Sequence, residues 1–242
     1  MSKPKILKGD VVFCNLKDED DCRVRDSHIK QLDYYTGHIE LVKDKIGLVH
    51  LNKTDKDEEV DTTLNDVLHN SLDIRCCEIN NILACGGILH LFEGATILKQ
   101  LVVKNKYSSI RNEAYVADAL VDEQGEFSIR HGFVRQMTVD GRCFVHERAV
   151  VGSLTVRKGG LFQSGYRLGS ILSVPVIHEL IASDGATIQF RGDCSVGVLR
   201  LRPGVRIKRQ RIATVSIGKV FVGNKQIDNV SEWLEQHTCE HV

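Results

Sequence analysis

The feature that most constrains this fold is a short repeat that recurs from about Ile88 to Val220. Its unit is two apolar residues at period two, a glycine three positions later, and an apolar residue three positions beyond the glycine. Starts at Leu101, Leu120, Met137 and Leu154 are 19, 17 and 17 residues apart, Leu180 and Leu199 are again 19 apart, and the 26 residues from Leu154 to Leu180 indicate an insertion. Clear and weaker copies start at Leu89, Leu120, Met137, Leu154, Leu180 and Leu199.

A unit of this length cannot bury its own apolar side, but stacked units can. Strands of successive coils then pair at ~4.8 Å, and equivalent residues form buried columns. We predict an all-β fold, a β-solenoid (β-helix) of about seven coils interrupted near Pro175, with the six starting residues in one column. The turn glycines are expected at positive φ. A compact β-sandwich or barrel is the alternative.

The rest of the chain divides around this repeat. Residues 1–70 contain short apolar alternations typical of strands, and the sequence leaves open whether they are a separate N-terminal β region or the first coils of the same solenoid. The solenoid is predicted over 71–227. A helix and tail are predicted over 228–242, with Asp228 or Ser231 as N-cap and Trp233 covering the last coil.

The composition of the chain indicates the cellular environment in which the protein folds. Lys and Arg together number 32, as do Asp and Glu, so no overall charge directs the protein to nucleic acid or membranes. The eight cysteines lack the tight spacing of a disulfide-stapled domain, and we interpret most as buried thiols. With no apolar run long enough to cross a membrane, we expect a soluble, cytoplasmic protein without a cofactor.

The segment LTVRKGGLFQSGYRLGS resembles the glycine-marked repeats of the AIDA-type autotransporter passenger family. The resemblance extends over about residues 89–218. It implies a β-helical passenger involved in adhesion or display. The copies here are poorer in Gly, Ser and Thr, so we expect the fold, and not the adhesion, to carry over.

Three patterns suggest chemistry. Asp122 and Asp140 occupy related places in successive coils and could act as an acid–base pair, although aspartate before a turn glycine also stabilises the turn. The tail residues His237, Cys239 and His241 are soft metal ligands, but a structural zinc site needs a fourth. Another candidate is a Cys–His pair, with Cys143 as nucleophile and His131 or His146 as base, against the simpler interpretation of a buried thiol.

The most visible surface feature is basic. Cationic residues alternate with apolar ones near the end of the solenoid, at Arg191, Arg200, Arg202, Arg206, Lys208, Arg209, Arg211 and Lys219. Such a patch suits an acidic protein surface, and the segment Asp55 to Asp61 of a second copy would be a matching partner. A solvated charged face is the alternative.

We therefore expect a non-enzymatic structural or assembly protein that binds itself or an acidic protein partner. A carbohydrate-active β-helix enzyme that uses surface carboxylates is the second hypothesis. A nucleic-acid-binding accessory is the third, and it is disfavoured because no aromatic residues interleave with the arginines for base stacking.

Overall fold

The computed structural model describes residues 8–15, 21–51, 70–111, 113–165, 174–211 and 213–238. The chain is 64% strand and forms a β-solenoid of about nine turns with coils of about 19 residues. The predicted fold class is confirmed. The predicted seven coils were too few, because the parallel ladder already begins at the first described strand.

Each coil combines one long and one short stretch of strand. The long stretches form one parallel ladder, made of β1 (Lys8–Asn15), the first half of β3 (His28–Val42), β4 (Lys45–Leu51), β6 (Glu78–Ala84), β8 (Thr96–Val103), β10 (Ala114–Val121), β12 (Gly132–Val139), β14 (Val150–Val156), β16 (Val176–Ala182), β18 (Cys194–Leu201) and β20 (Val215–Val222).

The short stretches form a second parallel ladder, made of β2 (Asp21–Arg25), the second half of β3, β5 (Asn70–Arg75), β7 (Ile88–Leu91), β9 (Ser108–Ile110), β11 (Glu126–Ile129), β13 (Arg142–Val145), β15 (Leu161–Ser164), β17 (Thr187–Phe190) and β19 (Arg206–Arg209). Two further elements follow β20, namely β21 (Lys225–Ile227) and helix α1 (Val230–His237).

In-register stacking produces a buried apolar column through the long strands. Its members are Leu32, Val49, Ile82, Leu101, Ala119, Met137, Leu154, Leu180, Leu199 and Val220. Two of the six predicted members were wrong. Leu89 belongs to short strand β7, and Leu120 pairs on the outer surface with Val102 and Thr138. Short strands and the ends of long strands both have the apolar–x–apolar spacing. The repeat identified in the sequence therefore mixed residues from two different parts of the coil.

The long strands bend near their middle. In β12, Val134 and Met137 are buried, whereas Arg135 and Gln136 between them are exposed, and the pairing with β14 skips Arg135. A straight strand alternates its faces at every residue, so two successive outward residues require a bend. The two arms of the long strand and the short strand therefore surround the core on three sides.

The corner from long to short strand uses glycine for two reasons. Gly159 and Gly204 have φ of +85° and +84°, which only glycine adopts without strain. The prediction of positive φ was wrong for Gly125 and Gly141, which are not among the positive-φ residues. A Cβ at Gly141 would overlap the carbonyl oxygen of Asp122 in the preceding coil, so this glycine permits close packing of two corners.

The opposite corner, from short to long strand, mostly lacks a glycine signal. Its left-handed position, with φ between 46° and 59°, is taken by Asp26, Lys43, Cys76, Glu113, His131 and Arg148. Left-handed backbone costs an ordinary residue about 1–2 kcal/mol. The parallel hydrogen bonds of the flanking coils hold these residues in that conformation.

Two insertions lengthen individual coils. Residues 52–69, between β4 and β5, lie outside the described residues, and so does the predicted acidic segment Asp55 to Asp61. The second insertion lies between β15 and β16, where the sequence predicted an interruption near Pro175. The column continues across it, since Leu154 pairs with Leu180.

The C-terminal end is closed by two elements. Strand β21 turns back and pairs antiparallel with Val220–Val222 of β20, which ends the parallel ladder there. Helix α1 then packs with buried Leu234 and partly buried Trp233 against the core, as the sequence predicted for a cap. The predicted N-cap was wrong: Asn229 caps the helix, and its side chain accepts a hydrogen bond from the backbone N–H of Glu232 at 3.2 Å.

Candidate functional site

The predicted basic residues encircle the last full coil. Arg206 and Lys208 project from short strand β19, while Arg202 and Arg211 lie at the corners before and after it. Lys219 projects from the long strand β20. All five are exposed, and none has an ion pair within the described ranges. We call Arg202, Arg206, Lys208, Arg211 and Lys219 the basic collar.

Three of the predicted basic residues have local roles instead. Arg200 donates from Nε to Glu179 Oε1 at 2.8 Å, and its Cζ lies 4.6 Å from the centre of the Phe221 ring. Arg209 donates from two nitrogens to the carbonyl oxygen of Ala213, at 3.1 and 2.9 Å. Arg191 is half-buried. The contacts of Arg200 and Arg209, and the partial burial of Arg191, set these three residues apart from the freely exposed cations.

The charge around the collar remains strongly unbalanced without them. Residues 191–227 contain nine Lys or Arg, of which six remain when Arg191, Arg200 and Arg209 are set aside, and only one acidic residue, Asp193. The carboxylate of Asp193 accepts a hydrogen bond from the backbone N–H of Thr214 at 2.8 Å. Strand β19 pairs with β17 on one side, and no described strand pairs with its other edge. The collar therefore adjoins a row of available backbone hydrogen-bonding groups.

The predicted acid–base pair lies at a corner, where both carboxylates have basic partners. Asp122 and Asp140 follow the paired residues Val121 and Val139, so they occupy adjacent rungs. Asp122 forms an ion pair with Lys104 at 3.5 Å, and its Oδ1 accepts from the N–H of Glu123. Asp140 forms an ion pair with Arg157 at 3.3 Å. This arrangement stabilises the corner.

The predicted Cys–His pair does not form. Cys143 is fully buried, its thiol lies 3.8 Å from the sulfur of Met137, and burial raises its pKa. His131 adopts a left-handed corner conformation, and His146 begins the next corner. Burial likewise raises the pKa of Cys77 and Cys194 to about 12. These thiols act as small apolar side chains in the core.

The tail contributes one described residue to the predicted metal site. His237 stacks on Trp233 with ring centroids 4.7 Å apart, and its Nδ1 lies 2.9 Å from the carbonyl oxygen of Trp233. Cys239 and His241 lie outside the described residues. Within the ranges that the structure covers, no three His, Cys, Asp or Glu side chains are grouped as metal ligands. No helix in those ranges has the length and hydropathy of a transmembrane span.

The sequence prediction missed a polar cluster on the outer side of the short strands. The register stacks Glu40, Asp73, His90 and Ser109 in one outward column, one residue from each of β3, β5, β7 and β9. The column beside it follows the ends of these strands with Arg75, Phe92 and Arg111. We call these seven residues the outer polar cluster.

Glu40 and Arg75 are fixed by short contacts. Glu40 accepts from Arg75 Nε at 3.0 Å and lies 2.9 Å from Arg23 Nε. The guanidinium carbon of Arg75 lies 3.7 Å from the centre of the Phe92 ring. Bidentate or bridged carboxylates and stacked guanidinium groups are held in defined orientations. This part of the cluster is therefore preorganised.

His90 is held neutral. Its Nδ1 lies 3.0 Å from the hydroxyl oxygen of Ser109, and its ring meets Phe92 edge-on at 5.9 Å. Burial, and next the positive charge of Arg111, lower the pKa of His90 to about 4. At neutral pH the imidazole can therefore donate and accept one hydrogen bond each.

Asp73 and Arg111 are poorly satisfied within the described part of the chain. Burial raises the pKa of Asp73, although the charges of His38 and Arg75 act to lower it. Its Oδ1 is buried without a hydrogen-bond partner there, and its Oδ2 lies 4.0 Å from Arg75. Arg111 is exposed and has no ion pair among the same residues. A buried acceptor without a donor costs free energy, so such a group marks a functional candidate.

A signal for this cluster was present in the sequence. Asp73, His90 and Ser109 each stand between two inward residues of a short strand, in LDI, LHL and SSI. The alignment of Glu40 with Asp73 depends on the register across the insertion at 52–69, which composition alone does not provide. Comparison of the chain with protein-family models, with curated proteins and with solved structures gives no match.

Proposed function

We propose that the chain is a non-enzymatic assembly protein: a rigid β-solenoid whose basic collar docks on an acidic surface of a second copy. The observation that carries this proposal is the group of exposed, unpaired cations beside the open edge of β19. An end of one molecule that meets a different surface of the next gives a head-to-tail contact, which closes as a ring or continues as a filament.

The solenoid supplies the rigidity that such a contact requires. Hydrogen-bonded ladders join every described coil to the next, so the collar cannot move independently of the core. The edge of β20 is closed over Val220–Val222 by β21, which leaves β19 as the edge beside the collar that an extended acidic segment could join.

An acidic counterpart exists in the same sequence. The segment Asp55 to Asp61 reads DKDEEVD and carries five acidic residues and one lysine. Opposite charges on two segments of one chain favour association between copies, and this attraction weakens as salt is added, because the Debye length is only ~8 Å at physiological ionic strength.

The second and third hypotheses have weaker support. For nucleic acid, base stacking needs free aromatic rings beside the cations. Phe221 is the aromatic residue nearest the collar in sequence, and Arg200 already stacks on it. For an enzyme, the predicted carboxylates Asp122 and Asp140 are both paired with cations at a corner.

Neutral substitution of the collar tests the proposal against its main rival. Charged edge strands also protect sheets from unwanted pairing, and in that role the collar would prevent association. The variant Arg206→Thr with Lys208→Gln gives the last rung the residue types that pair with these positions in β17, Thr187 and Gln189. We expect the wild-type protein to associate at low salt in sedimentation velocity, and this variant to sediment as a smaller species.

The matched control is Arg142→Thr with Arg157→Gln, which removes the same charge from exposed, ion-paired residues of the middle coils. It should sediment as wild type. Greater association of the collar variant than of wild type would overturn the proposal in favour of edge protection. A wild-type protein that is monomeric at every salt concentration would overturn it as well.

A further inference from the structure

We propose that the outer polar cluster binds an acidic saccharide, with Arg111 and Arg75 contacting carboxylates of successive sugars and Asp73, His90 and Ser109 contacting its hydroxyl groups. This inference is independent of the basic collar, which lies at the C-terminal coil. It rests on the unsatisfied groups that three successive coils present on one outer side of the solenoid.

The cationic residues of the cluster are suited to bind an anionic group. Arg111 is exposed and unpaired within the described ranges, and its charge is strong enough at His90 to lower the pKa of that imidazole. Arg75 is stacked on Phe92, the residue that precedes Arg111 in the same column. Arg75 and Arg111 therefore stand on the rungs on either side of Phe92, ~10 Å apart by strand spacing, so each can contact a different carboxylate of a chain of acidic sugars.

The remaining groups call for a ligand that also donates hydrogen bonds. The side chain of Asp73 is 16% exposed and its Oδ2 lies 4.0 Å from Arg75, beyond hydrogen-bond distance, and an anion alone cannot provide a donor for this oxygen. Sugar hydroxyls both donate and accept. A hydroxyl that reaches Asp73 would satisfy this oxygen, and neighbouring hydroxyls could exchange hydrogen bonds with neutral His90 and with Ser109.

An aromatic residue completes the surface. Tyr107 is 42% exposed, and it immediately precedes β9, the strand of the same coil whose outward residue is Ser109. Its flat ring offers an apolar surface for the carbon face of a sugar ring. Tyr107, Ser109 and Arg111 thus present aromatic, hydroxyl and cationic groups in one row, above the row that carries His90 and Phe92.

The same groups disfavour a nucleic acid. The carboxylates of Glu40 and Asp73 occupy the first two rungs of the outward column and would repel closely spaced phosphates. A phosphate diester also has no donor for Asp73. A saccharide with one carboxylate per sugar ring and several hydroxyls avoids both difficulties.

Titration of the full chain with a hexameric oligogalacturonate at ~150 mM salt tests this proposal. Maltohexaose serves as the neutral control ligand, and a dT oligonucleotide serves as the nucleic-acid control. We expect the oligouronate to bind with a Kd below about 1 mM, and the other two to bind at least tenfold more weakly. Arg111→Gln and Asp73→Asn should each weaken oligouronate binding about tenfold.

Arg157→Gln provides the control, because Arg157 is an exposed arginine on a corner outside the cluster. It should leave binding unchanged. Equal loss in Arg157→Gln would mean non-specific charge attraction and would overturn the proposal. So would equal binding of maltohexaose or the oligonucleotide, or wild-type affinity in Arg111→Gln, which alters an exposed side chain and should leave thermal unfolding unchanged.

Discussion

Single residues in this solenoid are constrained mainly by the coils above and below them. Gly141 and Gly159 illustrate two such constraints at the same kind of corner. A Cβ at Gly141 would overlap the carbonyl oxygens of Asp122 and Gly125, whereas a Cβ at Gly159 would have no atom within 4 Å. Gly159 instead needs its φ of +85°.

Alanine substitution should separate the two constraints. Gly141→Ala forces two coils apart and should lower the free energy of unfolding by about 2–3 kcal/mol, as overpacking of a closed site does. Gly159→Ala adds only left-handed strain and should cost about 1 kcal/mol. Urea unfolding of both variants measures the difference. A larger cost for Gly159→Ala would contradict our account of the corners.

His90 makes stability depend on pH. Its pKa of about 4 in the folded protein lies below the ordinary value of 6.5, so the unfolded chain binds a proton more readily. The free energy of unfolding is not reduced by His90 above pH 6.5, where the imidazole is neutral in both states. It falls as the pH drops from 6.5 toward 4, because the unfolded chain takes up the proton first. We expect a loss of order 2 kcal/mol between pH 7 and pH 4.5, measured by urea unfolding.

His90→Gln should reduce this pH dependence and should leave the separate effect of Asp44 on stability unchanged. Asp44 acts in the opposite sense: burial raises its pKa, so its unfavourable effect on stability grows as the pH rises above its ordinary value of 3.8. The difference between wild type and variant isolates His90. If both proteins lose the same stability between pH 7 and pH 4.5, the assignment to His90 is wrong.

At the scale of the strand, burial depends on which arm of the coil a residue occupies. Leu154 is fully buried in the column of the long strands, whereas Leu120 lies half-exposed on the outer surface. Leu154→Ala should destabilise the protein by about 2–5 kcal/mol, and Leu120→Ala by less than about 1 kcal/mol. Thermal unfolding tests this, and equal shifts in Tm would contradict the register.

The strands show what the sequence could and could not predict. Leu154, Leu180 and Leu199 were correctly predicted to stack, because each stands five residues before a turn glycine with positive φ, despite the insertion between the first two. Ala119 was missed as the true member of the column because its neighbour Leu120 is more hydrophobic. The bend at Arg135 breaks the period of two, so simple alternation cannot locate the outer surface.

At the scale of the whole molecule, the two candidate sites differ in how far the sequence alone could identify them. The basic collar is contiguous in sequence, so Arg202, Arg206, Lys208 and Arg211 could be named before the structure was known. The structure then showed that Arg209 turns to the Ala213 carbonyl. The outer polar cluster brings together Glu40 and Arg111, and this juxtaposition exists only after four coils have stacked in register.

The central claim, that the basic collar docks on the acidic segment of a second copy, is tested most directly by exchanging charge between the two surfaces. One variant carries Arg206→Glu and Lys208→Glu, and the other carries Asp57→Lys, Glu58→Lys and Glu59→Lys. Light scattering at low salt should show each variant alone as smaller than wild type, and an equimolar mixture should recover the wild-type mass. A mixture that stays at the mass of its components would contradict the account.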